Sequence, residues 1–239
     1  MNVAAQIWVY LETTPLLGLV STLLAWQVAS ALSRALGERP LVNPMLLCVV
    51  MLVSLLLLTG TPYSAYFQGA QYVQFLLGPA TVALAVPMHA ALPQIRRSAG
   101  AIVPALLAGG ITAAVSAMLI GRWMGASRGV VLSLGPKSVT TPIAMGIAEQ
   151  IGGNPSLTAV MVLLTGNTAI IVGPLLWRVL RIRDWRARGL AAGTAGHGLA
   201  TAGIIMRSEE AGAFGGLAIG LNGIATALLV PPLARWLLG

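Results

Sequence analysis

Among the residues able to do ionic chemistry, Lys137 stands apart. It is the one lysine in 239 residues, and it sits in the run Leu134-Gly135-Pro136-Lys137-Ser138-Val139-Thr140-Thr141-Pro142 inside an apolar stretch. A cation within a hydrophobic span costs roughly 2.5–3.5 kcal/mol on insertion scales, so it must face a cavity, a partner charge or a bound anion. The glycine and two prolines beside it interrupt a helix and free backbone groups, which a bilayer tolerates only where protein or water satisfies them. Hydroxyls at Ser138, Thr140 and Thr141, with N–H groups released from Gly135 onward, complete the makings of an anion site.

Two further interruptions share this character. Leu77-Gly78-Pro79-Ala80-Thr81-Val82 repeats the pattern of Leu134 to Val139, a Leu-Gly-Pro followed by any residue, a small hydroxyl residue and Val. Paired Gly-Pro breaks point to discontinuous helices meeting near the bilayer midplane, often in inverted repeats; an ordinary proline kink is the plainer reading. The segment Gly193-Thr194-Ala195-Gly196-His197-Gly198-Leu199-Ala200-Thr201-Ala202-Gly203 is rich in small residues, which suits close helix packing. His197 between two glycines would line a gap, as proton carrier or as donor to a carboxylate, or else make a structural hydrogen bond. Thr81, Thr194, His197 and Thr201 are therefore expected to complete a cavity around Lys137.

Other polar residues are weighed the same way. Glu149 follows Lys137 by 12 residues and could be its ion-pair partner, a proton site or an interfacial acid. Asn167 and Asn222 read as amide glue between helices, whereas Asn43, before Pro44, could face the cavity. Cys48 reads as a small core residue. No metal or cofactor ligand set is expected. An enzyme using Ser138 with Lys137 as base is disfavoured, since adjacent side chains give no obvious nucleophile and base geometry.

The elements that must position these groups follow from composition. Hydrophobic residues make up 57% and charged residues 8% of the chain, which describes an all-α polytopic membrane protein. Mean hydropathy is +0.86. The net charge of +8 comes from arginines set between apolar segments, which orients a chain in a membrane and argues against nucleic-acid binding. The first segment lacks a signal peptide's basic region and is expected to stay.

Spans are expected at Thr13–Ser33, Leu41–Thr59, Val73–Leu92, Ile102–Gly121, Ser156–Trp177, Gly189–Met206 and Ala211–Leu238, about seven transmembrane helices, with Val130–Gln150 as a broken element. Tyr63–Gln74, uncharged, suits the face opposite the arginines. Parity makes Val130–Gln150 a re-entrant hairpin with Lys137 near its tip or in its first arm, or else an unwound crossing with another element failing to span. On that count the N-terminus is outside and the C-terminus cytoplasmic. The chain reads as a single domain over 1–239, with possible repeat halves near 1–125 and 126–239.

The motifs Leu77 to Pro87, Pro136 to Ala144, Glu149 to Gly153, Ser156 to Ala159, Arg188 to Ala191 and Gly193 to Ala202, in this order over nearly the whole chain, resemble those of the LrgB/CidB family. These are antiholin-like membrane proteins, also similar to the C-terminal half of the plant chloroplast glycolate/glycerate transporter. The resemblance implies a bacterial inner-membrane protein with a smaller LrgA/CidA-type partner and homo- or hetero-oligomeric assembly. It implies either transport of small carboxylates such as glycolate, glycerate or pyruvate, or regulation of murein hydrolases and lysis. The buried cation, hydroxyls and broken helices favour transport, with His197 or Glu149 available for proton coupling.

Overall fold

The computed structural model describes residues 16–37, 42–76, 79, 82–83 and 85–238. They form ten helices in two compact units, Met1–Ala83 and Leu84–Gly239. Among the described residues four helices are long and apolar enough to cross a membrane: Leu16–Ala35, Leu92–Trp123, Pro155–Val179 and Glu209–Leu238.

The first unit contains α1 (Leu16–Ala35), α2 (Pro44–Thr59) and α3 (Tyr63–Phe75). Ala25 and Ala29 of α1 pack on Cys48 of α2, so the cysteine is a core residue. Helix α2 starts where the Asn43 side chain accepts the Met45 N–H at 2.8 Å and stops at Gly60, whose left-handed φ of 68° permits the C-cap. The stretch around Tyr63–Gln74 is helical, because Tyr63 stacks on Phe67 one turn away and Tyr66 meets the Thr22 hydroxyl at 2.8 Å. The expected span over Val73–Leu92 is not one helix. Helix α3 closes at Phe75, the short α4 (Ala85–Ala90) comes later, and α5 begins at Leu92; residues 77–78, 80–81 and 84 lie outside those described.

In the second unit α5 (Leu92–Trp123) and α10 (Glu209–Leu238) run side by side in the same direction. Ile95 and Ile102 pack with Phe214 at one end, and Ala114 and Met118 pack with Val230 and Ala234 at the other. Each is about 45 Å long at 1.5 Å per residue. Helix α8 (Pro155–Val179) lies between two reversals of the chain.

The first reversal joins α6 (Arg128–Leu134) to α7 (Thr141–Ile151). After returning along α7 the chain meets the entering arm again: Ser133 Oγ accepts the Asn154 N–H at 2.7 Å, and Thr158 Oγ1 donates to the Ser133 carbonyl at 3.1 Å. Since α7 carries the chain about 16 Å along its axis before this meeting, the turn at 135–140 is the hairpin tip, with Lys137 in it. The hairpin expected over Val130–Gln150 is thus present. Its open end lies at the Leu238 end of α10, where Arg122 and Arg128 donate to the carbonyls of Leu237 and Leu238.

The second reversal corrects the expected span Gly189–Met206. Helix α9 (Trp185–Ile205) breaks at His197, whose φ of 43° and ψ of −142° lie outside the helical region. The arm 185–196 climbs along α10, with Gly189 against Ala211 and Gly193 against Gly215 and Ala218. The arm 198–205 descends again, with Thr201 against Gly215 and Ile205 against Gly212. Gly189 and Thr201 both border Gly215, which 12 residues of straight helix, about 18 Å, could not achieve. This hairpin opens at the Glu209 end, opposite to the first. A non-glycine residue at such a φ costs of order 1–3 kcal/mol and persists only where the surroundings enforce it.

Candidate functional site

The two tips meet beside the middle of α10. Asn222 Nδ2 donates to the Ser138 carbonyl of the first hairpin at 3.3 Å and to the Thr194 carbonyl of the second at 3.0 Å. Val139, from the first tip, packs with Ala144 and Val162, and the Val162 carbonyl lies 3.1 Å from His197 Nε2 at the second tip. A carbonyl can only accept, so Nε2 carries a proton there. The approach of α5 depends on Gly110, where a Cβ would stand 2.7 Å from Asn222 Oδ1. The sequence expectation that Asn222 joins helices is met in full. Asn167 instead bonds its own helix at Leu163, and its Oδ1, like that of Asn222, is buried without a protein partner.

Asn222→Ala removes both bridging bonds and leaves two carbonyls facing apolar surroundings. Each unsatisfied buried group costs about 1–3 kcal/mol, so the variant should melt several degrees below wild type in detergent. An unchanged melting temperature would show that the tips do not depend on this amide.

Lys137 is half-buried and Ser138 is buried, with Lys137 Nζ donating to Ser138 Oγ at 3.3 Å. Among the described residues no carboxylate pairs with Lys137, since the only ion pair joins Arg186 to Asp184. Lys137 lines a cleft of about 450 Å³ that runs along α8 from Met161 to Trp177 and is bordered on another side by Ala191, Ala192 and Ala195 of the second hairpin. That volume suits a small organic ligand. Both returning arms, α7 and 198–205, start at the tips, so the partial positive charge of their N-terminal ends falls there. Thr140, the N-cap of α7, makes no side-chain cap bond and keeps its hydroxyl available.

The expected site residues divide. Lys137 and Ser138 line the cleft, and Thr140 and Thr141 open α7 beside it. Gly135 serves packing, since a Cβ there would press on Val230 and Met118. Thr194 and Thr201 are buried, with their hydroxyls donating to Leu190 and His197 carbonyls, so they shape the second tip without lining the cleft. Asn43 caps α2 in the other unit, and Thr81 lies outside the described residues. Glu149 is exposed in the last turn of α7, at the end away from the tip, and forms no ion pair with Lys137.

Two lining residues were not singled out in the sequence, Thr165 and Thr168 of α8. The available signal was two hydroxyls three residues apart in an apolar helix, which places them on one face. No group of three metal-ligating side chains occurs among the described residues.

Comparison with known proteins places the sequence in a family. The family model described as the LrgB-like family matches residues 22–236. The uncharacterized protein YwbG of Bacillus subtilis (strain 168) is 36% identical over 90% of this chain and 96% of its own length. YxaC of the same organism is 33% identical over 83% of this chain and 86% of its own. An antiholin-like protein LrgB of Bacillus mycoides (strain KBAB4) is 29% identical over 91% and 95%. No solved structure matches.

Proposed function

The chain belongs to the LrgB-like family of multi-pass membrane proteins, and from that premise we propose that it carries small 2-hydroxy or 2-oxo monocarboxylates of the glycolate, glycerate or pyruvate type across the bacterial cytoplasmic membrane. The observation that carries this reading is the unpaired Lys137 at a hairpin tip, facing a cleft beside Ser138 and the opening turn of α7. A carboxylate placed there meets the ammonium and the N–H groups of the α7 start, while Ser138, Thr140 or Thr165 reaches its hydroxyl or oxo oxygen.

Two hairpins entering from opposite ends support an inverted repeat. Its members are 128–179 and 185–238, each a hairpin followed by a long helix, in place of halves divided near residue 125. The second unit then crosses the membrane with α5, α8 and α10, and both hairpins are re-entrant. Arg96, Arg97, Arg178, Arg181, Arg183, Arg186, Arg188 and Arg207 gather at the Glu209 end, against Arg122, Arg128 and Arg235 at the other. The richer end is cytoplasmic by the positive-inside rule. The C-terminus accordingly faces outward, the reverse of the side obtained by counting 189–206 as a crossing. A smaller LrgA/CidA-type subunit supplies a fixed body for the hairpin bundle to move against, and His197 is the titratable group at the second tip.

A second reading, regulation of murein hydrolases and lysis, is favoured by the antiholin-like names of several relatives. Uptake of radiolabelled glycolate, glycerate and pyruvate into proteoliposomes across a pH gradient, with and without the partner subunit, separates the two. Saturable, substrate-selective flux supports the carrier; no flux from either preparation leaves the regulator.

A further inference from the structure

At the far end of α8 the cleft adjoins a second cavity, of about 410 Å³, lined by Arg178, Arg181, Arg183, Arg188 and Arg207. Trp177 lines both. Arg188 is fixed: its Nε and Nη2 donate to the Ile182 carbonyl at 2.9 and 2.7 Å, and its guanidinium lies over the rings of Trp185 and Trp177, 4.6 and 5.8 Å from their centroids. The other four arginines have no ion-pair partner among the described residues. Asp184, the nearest acid in sequence, is held by Arg186 at 2.6 Å, which keeps its carboxyl down at about 2 and leaves it no free charge for the cavity. Glu209 and Glu210 open α10 at this end without forming an ion pair.

Arg181 adds a separate observation. It adopts φ 55° just past the end of α8, a left-handed position that glycine normally fills. A non-glycine residue there carries a backbone cost. Trp177 and Trp185 set the cavity at the level where indoles occupy a membrane interface.

We propose that this cavity binds the phosphate headgroup of an anionic phospholipid in the cytoplasmic leaflet, with Arg178, Arg181 and Arg207 as its charge partners and Arg188 as the rigid wall. Uncompensated guanidiniums converging from the end of α8, the loop after it and the second residue beyond α9 suit a phosphodiester, and the tryptophans suit the glycerol and upper acyl region beside it. The site stands whether or not the cleft carries carboxylates.

The test uses the full chain, purified in detergent and delipidated, with retained lipid read by native mass spectrometry and melting temperature read in parallel. Dioleoylphosphatidylglycerol should bind and stabilise wild type more than dioleoylphosphatidylcholine does. Arg178→Gln/Arg181→Gln/Arg207→Gln should weaken that preference about a hundredfold, at roughly one charge contact per residue. Arg181→Gly, which relieves the left-handed backbone and so should fold readily, should weaken it about fivefold. Equal binding of the two lipids to wild type, or a preference that survives in Arg181→Gly and in the triple variant, would overturn the site. Stabilisation by glycerol 3-phosphate equal to that by the lipid would assign a soluble anion instead and would also overturn it.

Discussion

Replacing Lys137 with methionine or alanine is expected to remove saturable carboxylate uptake while leaving a folded, membrane-inserted protein. A charge-assisted contact contributes about 1.5–3 kcal/mol, so losing it lowers carboxylate affinity by roughly tenfold to a hundredfold. The tips hold together through Asn222, Val139 and Val162, none of which needs the ammonium. Removing an unpaired, half-buried cation relieves desolvation, so Lys137→Met should melt at or above the wild-type temperature. Uptake and stability thus move in opposite directions. Lys137→Arg keeps the charge but enlarges the head beside Ser138, and should retain part of the flux. If the methionine variant transported like wild type, the cleft would not be the carboxylate site.

The second large effect concerns two glycines five residues apart. Gly193→Ala should sharply reduce the yield of folded protein, because its Cβ would overlap the Gly215 carbonyl and stand 2.7 Å from Ala218 Cβ. Backbone at both sides of that contact cannot yield locally, so overpacking of about 1–3 kcal/mol or more is expected. Gly198→Ala meets nothing within 4 Å. It lies at the start of the descending arm 198–205, where alanine is better than glycine by roughly 0.5–1 kcal/mol if the helix admits it. Thermal unfolding of the two variants side by side checks the contrast; equal tolerance would mean that the ascending arm does not lie on α10 as described.

That contrast shows where reading the sequence stops. Gly193, Gly196, Gly198 and Gly203 look alike in the chain, and small residues at such spacing suggest a stripe packed on a neighbour. The reversal at His197 left no such mark. It depends on Val162 holding the ring and on α10 accepting both arms, two partners distant in the chain. The parity count took 189–206 as one crossing, whereas the chain turns back at His197. Glu149 is 12 residues from Lys137 in sequence, but the fold turns it to the opposite end of α7.

The first hairpin was legible because its causes are local. Pro136, Gly135 and Pro142 break the helix, the hydroxyls and the lone lysine mark the break, and Pro142 fits the first turn of α7. Asn222 as helix glue, Cys48 as core and the long helices α8 and α10 were legible for similar reasons, each being a matter of polarity against an apolar background. By itself the sequence determined the membrane character, the family, the charged tip and the breaks, since propensity, hydropathy and insertion cost act on neighbouring residues. Only the tertiary structure decided that the second break is a hairpin and that Thr165 and Thr168 share a cleft with Lys137. It alone decided that the arginines enclose a cavity, because these outcomes rest on contacts between residues far apart in the chain.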